Sequence, residues 1–219
     1  MNSIYQNLIA GGAWQTIVKG LMVTARISAL GLLLGTVLGA LFCTARISRY
    51  KIINVPVRGI ISFMRGTPVL LLLMFIYFVV FNGIRVDAAL IAVLSFGLNS
   101  GAHIAELMRA ALGGVDKMQV EAARMLGAPR PLAFLYIALP QAVKIAKPVY
   151  QNAVISLIQW TSVVGYVAIA DLTRVVNNMG SRSGDPFLAL FVGMLLYLAL
   201  SYAVNGIFTL TGRRAKRHG

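Results

Sequence analysis

Residues 109–147 read RAALGGVDKMQVEAARMLGAPRPLAFLYIALPQAVKIAK. Arg109, Lys117, Arg124, Arg130, Lys144 and Lys147 are spread through this stretch, yet the windows beside it, 88–105 and 148–170, hold no Asp, Glu, Lys or Arg at all. A segment of this length is too long for a turn between helices and far too small for a folded domain. Asp116 is suited to cap a helix; Met118, Ala122, Met125 and Leu126 then recur at helical spacing, and Gly127 followed by Pro129 supplies a stop. The spacing predicts a short amphipathic helix over 116–126 and a second helical piece, Pro131 to Leu139, that ends at Pro140. Glu121 beside Ala122 and Ala123 anchors a helix poorly in a lipid surface, which prefers aromatic and Leu-rich faces. A protein partner fits that helix better.

Outward from this segment the pattern repeats. Windows 27–45, 66–84 and 186–212 are also free of charge, each about the ~18 to 20 residues a helix needs to cross hydrocarbon. With 58% hydrophobic and 12% charged residues, the chain has more apolar surface than a soluble core can hide. The expected fold is an all-α integral membrane protein forming one transmembrane domain over 1–219. Its five spans are expected at about 15–45, 55–84, 87–109, 146–170 and 186–212, with a projecting loop at about 110–145. Met1 to Trp14 lacks a basic stretch followed by an apolar core and a cleavage site, so no removable signal peptide is expected.

The net charge of +14 would suit nucleic acid, but its placement explains it otherwise. Arg46, Arg49, Lys51 and Arg58 follow the first span, six basic residues fill 109–147, and Arg213, Arg214, Lys216 and Arg217 close the chain. If spans alternate, all lie on one face, which the positive-inside rule makes cytoplasmic; the N-terminus is then outside and the C-terminus inside. The expected surface partner is the lipid bilayer and no nucleic acid. Cys43, His103 and His218 show no metal-ligand spacing, and Cys43 is assigned to packing.

Gly31, Gly35 and Gly39 put three positions without side chains on one face of the first span, a seam either within the chain or between subunits. Val69 to Phe81 is too short to cross, so the second span is expected to start earlier and to carry Arg65 and Pro68 inside one helix. Arg65 then either snorkels to the interface or takes a pairing or gating role. Glu106 and Arg109, three residues apart, are placed to pair. Asn99, Ser100, Asn152, Ser156 and Gln159 are polar residues in apolar windows, and Asn152, Ser156 and Gln159 are expected on one helix face. Between 171 and 185, Leu172, Val175, Val176 and Met179 predict a short helix packed on the spans, with Arg174, Asn177 and Asn178 on its polar face.

Glu121-Ala122-Ala123, Gly127 four residues on, and Ile137-x-Leu139-Pro140 together resemble the cytoplasmic signature loop of ABC importer permeases. Arg65-Gly66-Thr67-Pro68, with Ala105-Glu106 and Arg109, resembles the polar amino acid uptake subfamily. The resemblance implies the type I importer fold, with a coupling helix that docks on a pair of ABC ATPase subunits. It also implies a second permease, identical or homologous, and an extracytoplasmic solute-binding protein, at a bacterial inner membrane. Glu121, Ala122, Ala123, Gly127, Leu139 and Pro140 are the expected ATPase-coupling residues. ATP and Mg belong to the partner: no Gly-x-x-x-x-Gly-Lys-Ser/Thr stretch exists, so this chain binds no cofactor and is a transport subunit rather than an enzyme. Arg65, Asn99, Asn152, Ser156, Gln159, Trp160 and Thr161 are the expected substrate pathway. Where the subfamily often has Lys-Asp-Thr-Ser, this chain has Gln159-Trp160-Thr161-Ser162. Gln159 can still bond a carboxylate or amide, and Trp160 either packs or faces an apolar or cationic part of a solute. The alternatives are a membrane anchor that moves nothing, which needs no polar lining, and an importer of another small polar solute.

Overall fold

The computed structural model describes residues 13–217, and no strand occurs among them. The expectations for Met1 to Gly12 and for His218 lie outside the described residues. In chain order the helices are α1 (Ala13–Arg46), α2 (Lys51–Gly66), α3 (Val69–Phe75), α4 (Ala88–Gly113), α5 (Lys117–Met125), α6 (Arg130–Ala133), α7 (Leu139–Trp160), α8 (Leu172–Ser183) and α9 (Pro186–Arg217). α4 is the central helix: 67% of its apolar window is buried, against 11% for α9. Phe96 on α4 has no exposed surface and gathers Ile27, Leu73, Val164 and Val167 around it at one end of the bundle. Nearer the other end, Ala102 and Ala105 pack with Cys43 and Ile61, which places Cys43 in the core as expected.

The glycine seam closes within the chain. A Cβ on Gly39 would lie 2.6 Å from Ile104 Cγ2, and one on Gly97 of α4 would lie 2.6 Å from Leu34 Cδ2. The two helices can approach this closely only because each offers glycine where the other offers a side chain.

The second apolar segment departs from expectation. Among the described residues four helices are long and apolar enough to cross a membrane, and a fifth crossing requires α2 together with Val69–Val80, two pieces bent 109° apart. Arg65 therefore lies in the last turn of one helix, and Pro68 is the cap that precedes the next. The cause is local: a residue before proline is pushed out of the helical region, and Thr67 takes φ −96°, ψ 132°. Further on, Ile76–Val80 forms a wide π-turn in which Phe81 N–H reaches the Ile76 carbonyl at 3.0 Å.

Pro140 also behaves differently. It ends nothing: the chain is helical from Arg130 to Val167, 38 residues in all. Proline cannot bond the carbonyl four residues back and crowds it. Here Phe134–Ala138 opens into a π-turn, with Leu139 N–H reaching the Phe134 carbonyl, and the wider turn accommodates the ring. The helix thus runs without a break from the projection into the apolar segment, then tightens to a 3₁₀ turn at Thr161–Val167.

α8 forms where its apolar stripe predicts. Leu172, Val175 and Val176 are buried and Met179 packs with them, while Asn177 and Asn178 are exposed. Arg174 is half-buried and donates to the Gly165 carbonyl at 3.0 Å. Asp171, wholly buried, caps the helix: Oδ1 accepts from Arg174 N–H and Oδ2 from Thr173 N–H, both at 3.0 Å, and Tyr197 Oη–H also donates to Oδ2. Burial pushes the Asp171 carboxyl above the usual carboxylate range, against the pull of those backbone donors. Asp171→Ala is expected to cost about 2 kcal/mol through the lost cap, seen as a lower melting temperature in detergent. Asp171→Asn caps nearly as well without a charge to bury and is expected to recover most of that loss.

Candidate functional site

Two regions carry chemistry that packing alone does not use. The first is the projection. Met118 N–H donates to Asp116 Oδ1 at 2.9 Å, so α5 starts at the expected cap. Its end is a Schellman turn: Gly127 N–H bonds the Arg124 carbonyl and Ala128 N–H the Ala123 carbonyl, both at 3.1 Å, with Gly127 at φ +91°. No neighbour crowds Gly127, so glycine is required there by backbone conformation alone. α5 rests on the bundle through Val120, packed near Ala111, Val115, Ala138 and Ala142, and through a 2.8 Å bond from Gln141 Nε2 to Gln119 Oε1. Its other side is bare. Met118, Met125 and Leu126 are 76%, 86% and 91% exposed, and Glu121 and Ala122 are exposed beside them. Asp116 does the capping, and Glu121 makes no hydrogen bond or ion pair among the described residues.

The second region is a cavity of about 400 Å³ between the end of α2, the middle of α4 and the inner face of α7. Arg65, Ser100, His103, Glu106, Asn152, Ser156 and Trp160 supply its polar and aromatic lining. Glu106 Oε1 accepts from Arg109 Nε at 2.7 Å and from a second guanidinium nitrogen. The His103 and Trp160 rings lie 5.4 Å apart, tilted by 46°. Ionisable side chains this far along an apolar helix are costly to hold away from water.

Residues 31–217 match the family described as binding-protein-dependent transport system inner membrane component. This chain belongs to that family. It is 33% identical to the probable amino-acid ABC transporter permease protein YckA of Bacillus subtilis, over 90% of this chain and 88% of the relative. Identity to the arginine transport system permease protein ArtQ of Bacillus subtilis is 30%, over 92% and 91%. The crystal structure of an amino acid ABC transporter with histidines superposes with a TM-score of 0.85 at 28% identity, covering 94% of this chain and 97% of that one. The protein is the membrane-embedded permease of a binding-protein-dependent ABC importer, with the helical type I fold.

In this permease the expected pathway residues divide. Arg65, Asn152, Ser156 and Trp160 meet in the one cavity. Gln159 lines a different space, about 420 Å³, with Ser162, Thr173, Asn177, Tyr197 and Ser201. The face shared by Asn152 and Ser156 thus continues to Trp160, and Gln159 turns toward α9. Thr161 is buried at the helix end, its hydroxyl spent on the Ile158 carbonyl at 2.6 Å. Asn99, 2% exposed, stands behind the cavity wall and donates to the Met64 carbonyl at 3.1 Å. Leu139 is half-buried on an apolar groove and Pro140 is exposed. His103 and Glu106 are the ionisable lining residues outside the expected pathway. Their signal was an ionisable side chain at 103 within the window 88–105, one helical turn before Glu106.

Proposed function

We propose that this permease imports a polar amino acid. The solute is delivered by an extracytoplasmic binding protein and crosses by alternating access. One of a pair of permeases, identical or homologous, this chain is gripped at α5 by an ATPase subunit; ATP and Mg are bound on that partner. Closure of the ATPase pair pulls on α5, and the unbroken helix from Arg130 to Val167 carries the movement to the cavity wall. α5 then lies in the cytoplasm and the N-terminus outside, in keeping with the basic residues at that end of the bundle.

The observation that carries the solute class is the cavity at the α2–α3 break, where both signs of charge, the Ser156 hydroxyl and the Asn152 amide converge on a few hundred cubic ångströms. A zwitterion needs both signs, and irregular backbone within a membrane is tolerated where it lines such a cavity. The test is uptake of a panel of labelled amino acids by liposomes containing permease, ATPase and binding protein. ATP-dependent accumulation of at least one polar amino acid is expected. Flux of some other solute, with every amino acid excluded, would sink the solute class; no flux of anything would favour a mere anchor.

A further inference from the structure

We propose that Arg65 is the carboxylate anchor of the cavity, and that the cavity's charge balance selects against solutes carrying a second positive charge. The proposal rests on the reading of the chain as an amino acid importer.

Three lining residues are ionisable: Arg65, His103 and Glu106. Glu106 is already matched, because Arg109 places two nitrogens on its Oε1. Arg65 has no ion pair among the described residues, and its side chain is exposed to the cavity. It is therefore the unbalanced charge on this wall. An unpaired guanidinium beside apolar walls attracts an anion strongly, since the low local dielectric weakens screening. Its planar fork matches a carboxylate with two parallel bonds.

The backbone beneath Arg65 is held in place. α2 ends at Gly66, and its last carbonyls have no helical partner. Thr67 Oγ1–H donates to the Phe63 carbonyl at 2.8 Å, and Asn99 Nδ2–H to the Met64 carbonyl. Asn99 thus ties the residue just before Arg65 to α4, which makes it a positioning residue.

The rest of the wall decides what else the solute may carry. Glu106 Oε2 makes no hydrogen bond among the described residues and can accept an α-ammonium group. Glu106 is the one acidic residue on the cavity lining. A cationic side chain would find the unpaired Arg65 on the lining and no second carboxylate. Neutral and acidic amino acids fit this balance; lysine and arginine do not.

The permease–ATPase complex, purified in detergent without binding protein, is titrated with the common amino acids and their carboxamides while its melting temperature is followed. At least one neutral or acidic amino acid is expected to raise it, with its carboxamide, lysine and arginine at least about tenfold weaker, as loss of one charge-assisted bond implies. Arg65→Gln is expected to weaken the acid about tenfold and leave the carboxamide unchanged, with the unliganded melting temperature unaltered; Arg65→Lys retains part of the affinity. Asn99→Ala is expected to narrow the difference between acid and carboxamide, which a loss of stability alone would not do. The anchor is overturned if acid and carboxamide act alike, if lysine acts as well as neutral amino acids, if Arg65→Gln changes nothing, or if no amino acid shifts melting. Uptake in liposomes with the binding protein separates the two readings. Amino acid uptake persisting alongside any of those results discards the anchor alone; absent uptake discards the importer reading beneath it.

Discussion

Gly35→Ala is expected to destabilise the permease by about 1 to 3 kcal/mol, the usual cost of forcing a methyl into a filled core. The built Cβ would strike the Ser100 hydroxyl, with Ser100 Cβ at 3.1 Å and the Gly97 carbonyl at 3.2 Å behind it. Ser100 cannot simply turn aside, because it is 2% exposed and its hydroxyl bonds the Gly97 carbonyl at 3.3 Å. Either that bond breaks or α1 and α4 move apart, and parting them loosens Leu34 over Gly97 and Leu38 over Gly101 as well. Ser100→Gly removes the obstructing atoms, so Gly35→Ala/Ser100→Gly should be more stable than the sum of the single losses by about 1 kcal/mol or more. Detergent melting curves of the four proteins give the coupling directly. Simple additivity would mean that the seam has slack which the geometry does not reveal.

That seam was legible because four-residue glycine spacing has one structural use in an apolar helix, although spacing alone left open whether the facing helix belonged to the same chain. Helix positions were legible for a related reason: unpaired backbone groups are intolerable in hydrocarbon, so charge-free windows must become helices. Two proline-bearing stretches misled in opposite directions. At Pro68 the need for span length argued for one helix, but the proline's bias on Thr67 prevailed and the helix broke. At Pro140 the same bias argued for a stop, and a π-turn one residue earlier absorbed the ring. The two outcomes differ because Thr67 leaves the helical region ahead of Pro68, whereas ahead of Pro140 the helix widens instead of ending.

The cavity was legible only in part. Asn152, Ser156, Trp160 and Arg65 stood out as polar, aromatic or charged residues in apolar surroundings, and they do converge. Asn99 and Gln159 stood out by the same rule and Thr161 through the resemblance, yet one pins a helix end, one turns to another cavity and one bonds its own backbone. Polarity in a span says that a partner exists without saying whether it is a solute, a carbonyl or a neighbouring helix. Glu106 satisfies both descriptions: it pairs with Arg109 as spacing predicted, and it still faces the cavity.

Leu126→Asp is expected to abolish retention of the ATPase while leaving the permease folded. Leu126 is 91% exposed, so a carboxylate there disturbs nothing within the chain. If α5 seats in a cleft of the ATPase, however, Met118, Met125 and Leu126 are the side chains that become buried, each worth roughly 1.5 to 3 kcal/mol. Placing a charge at that position would weaken the complex by at least about tenfold and stop ATP-driven uptake. Gly127→Val should also lose the ATPase, but by another route. At φ +91° a β-branched residue is strained, the Schellman turn opens, and α5 loses its fixed end, so the melting temperature falls as well. Co-purification with the ATPase and melting curves, measured on the same preparations, therefore separate a damaged surface from a damaged shape. ATPase bound equally well by Leu126→Asp would show that the bare apolar side of α5 is not the docking surface, and the force that opens the cavity would have to enter the bundle elsewhere.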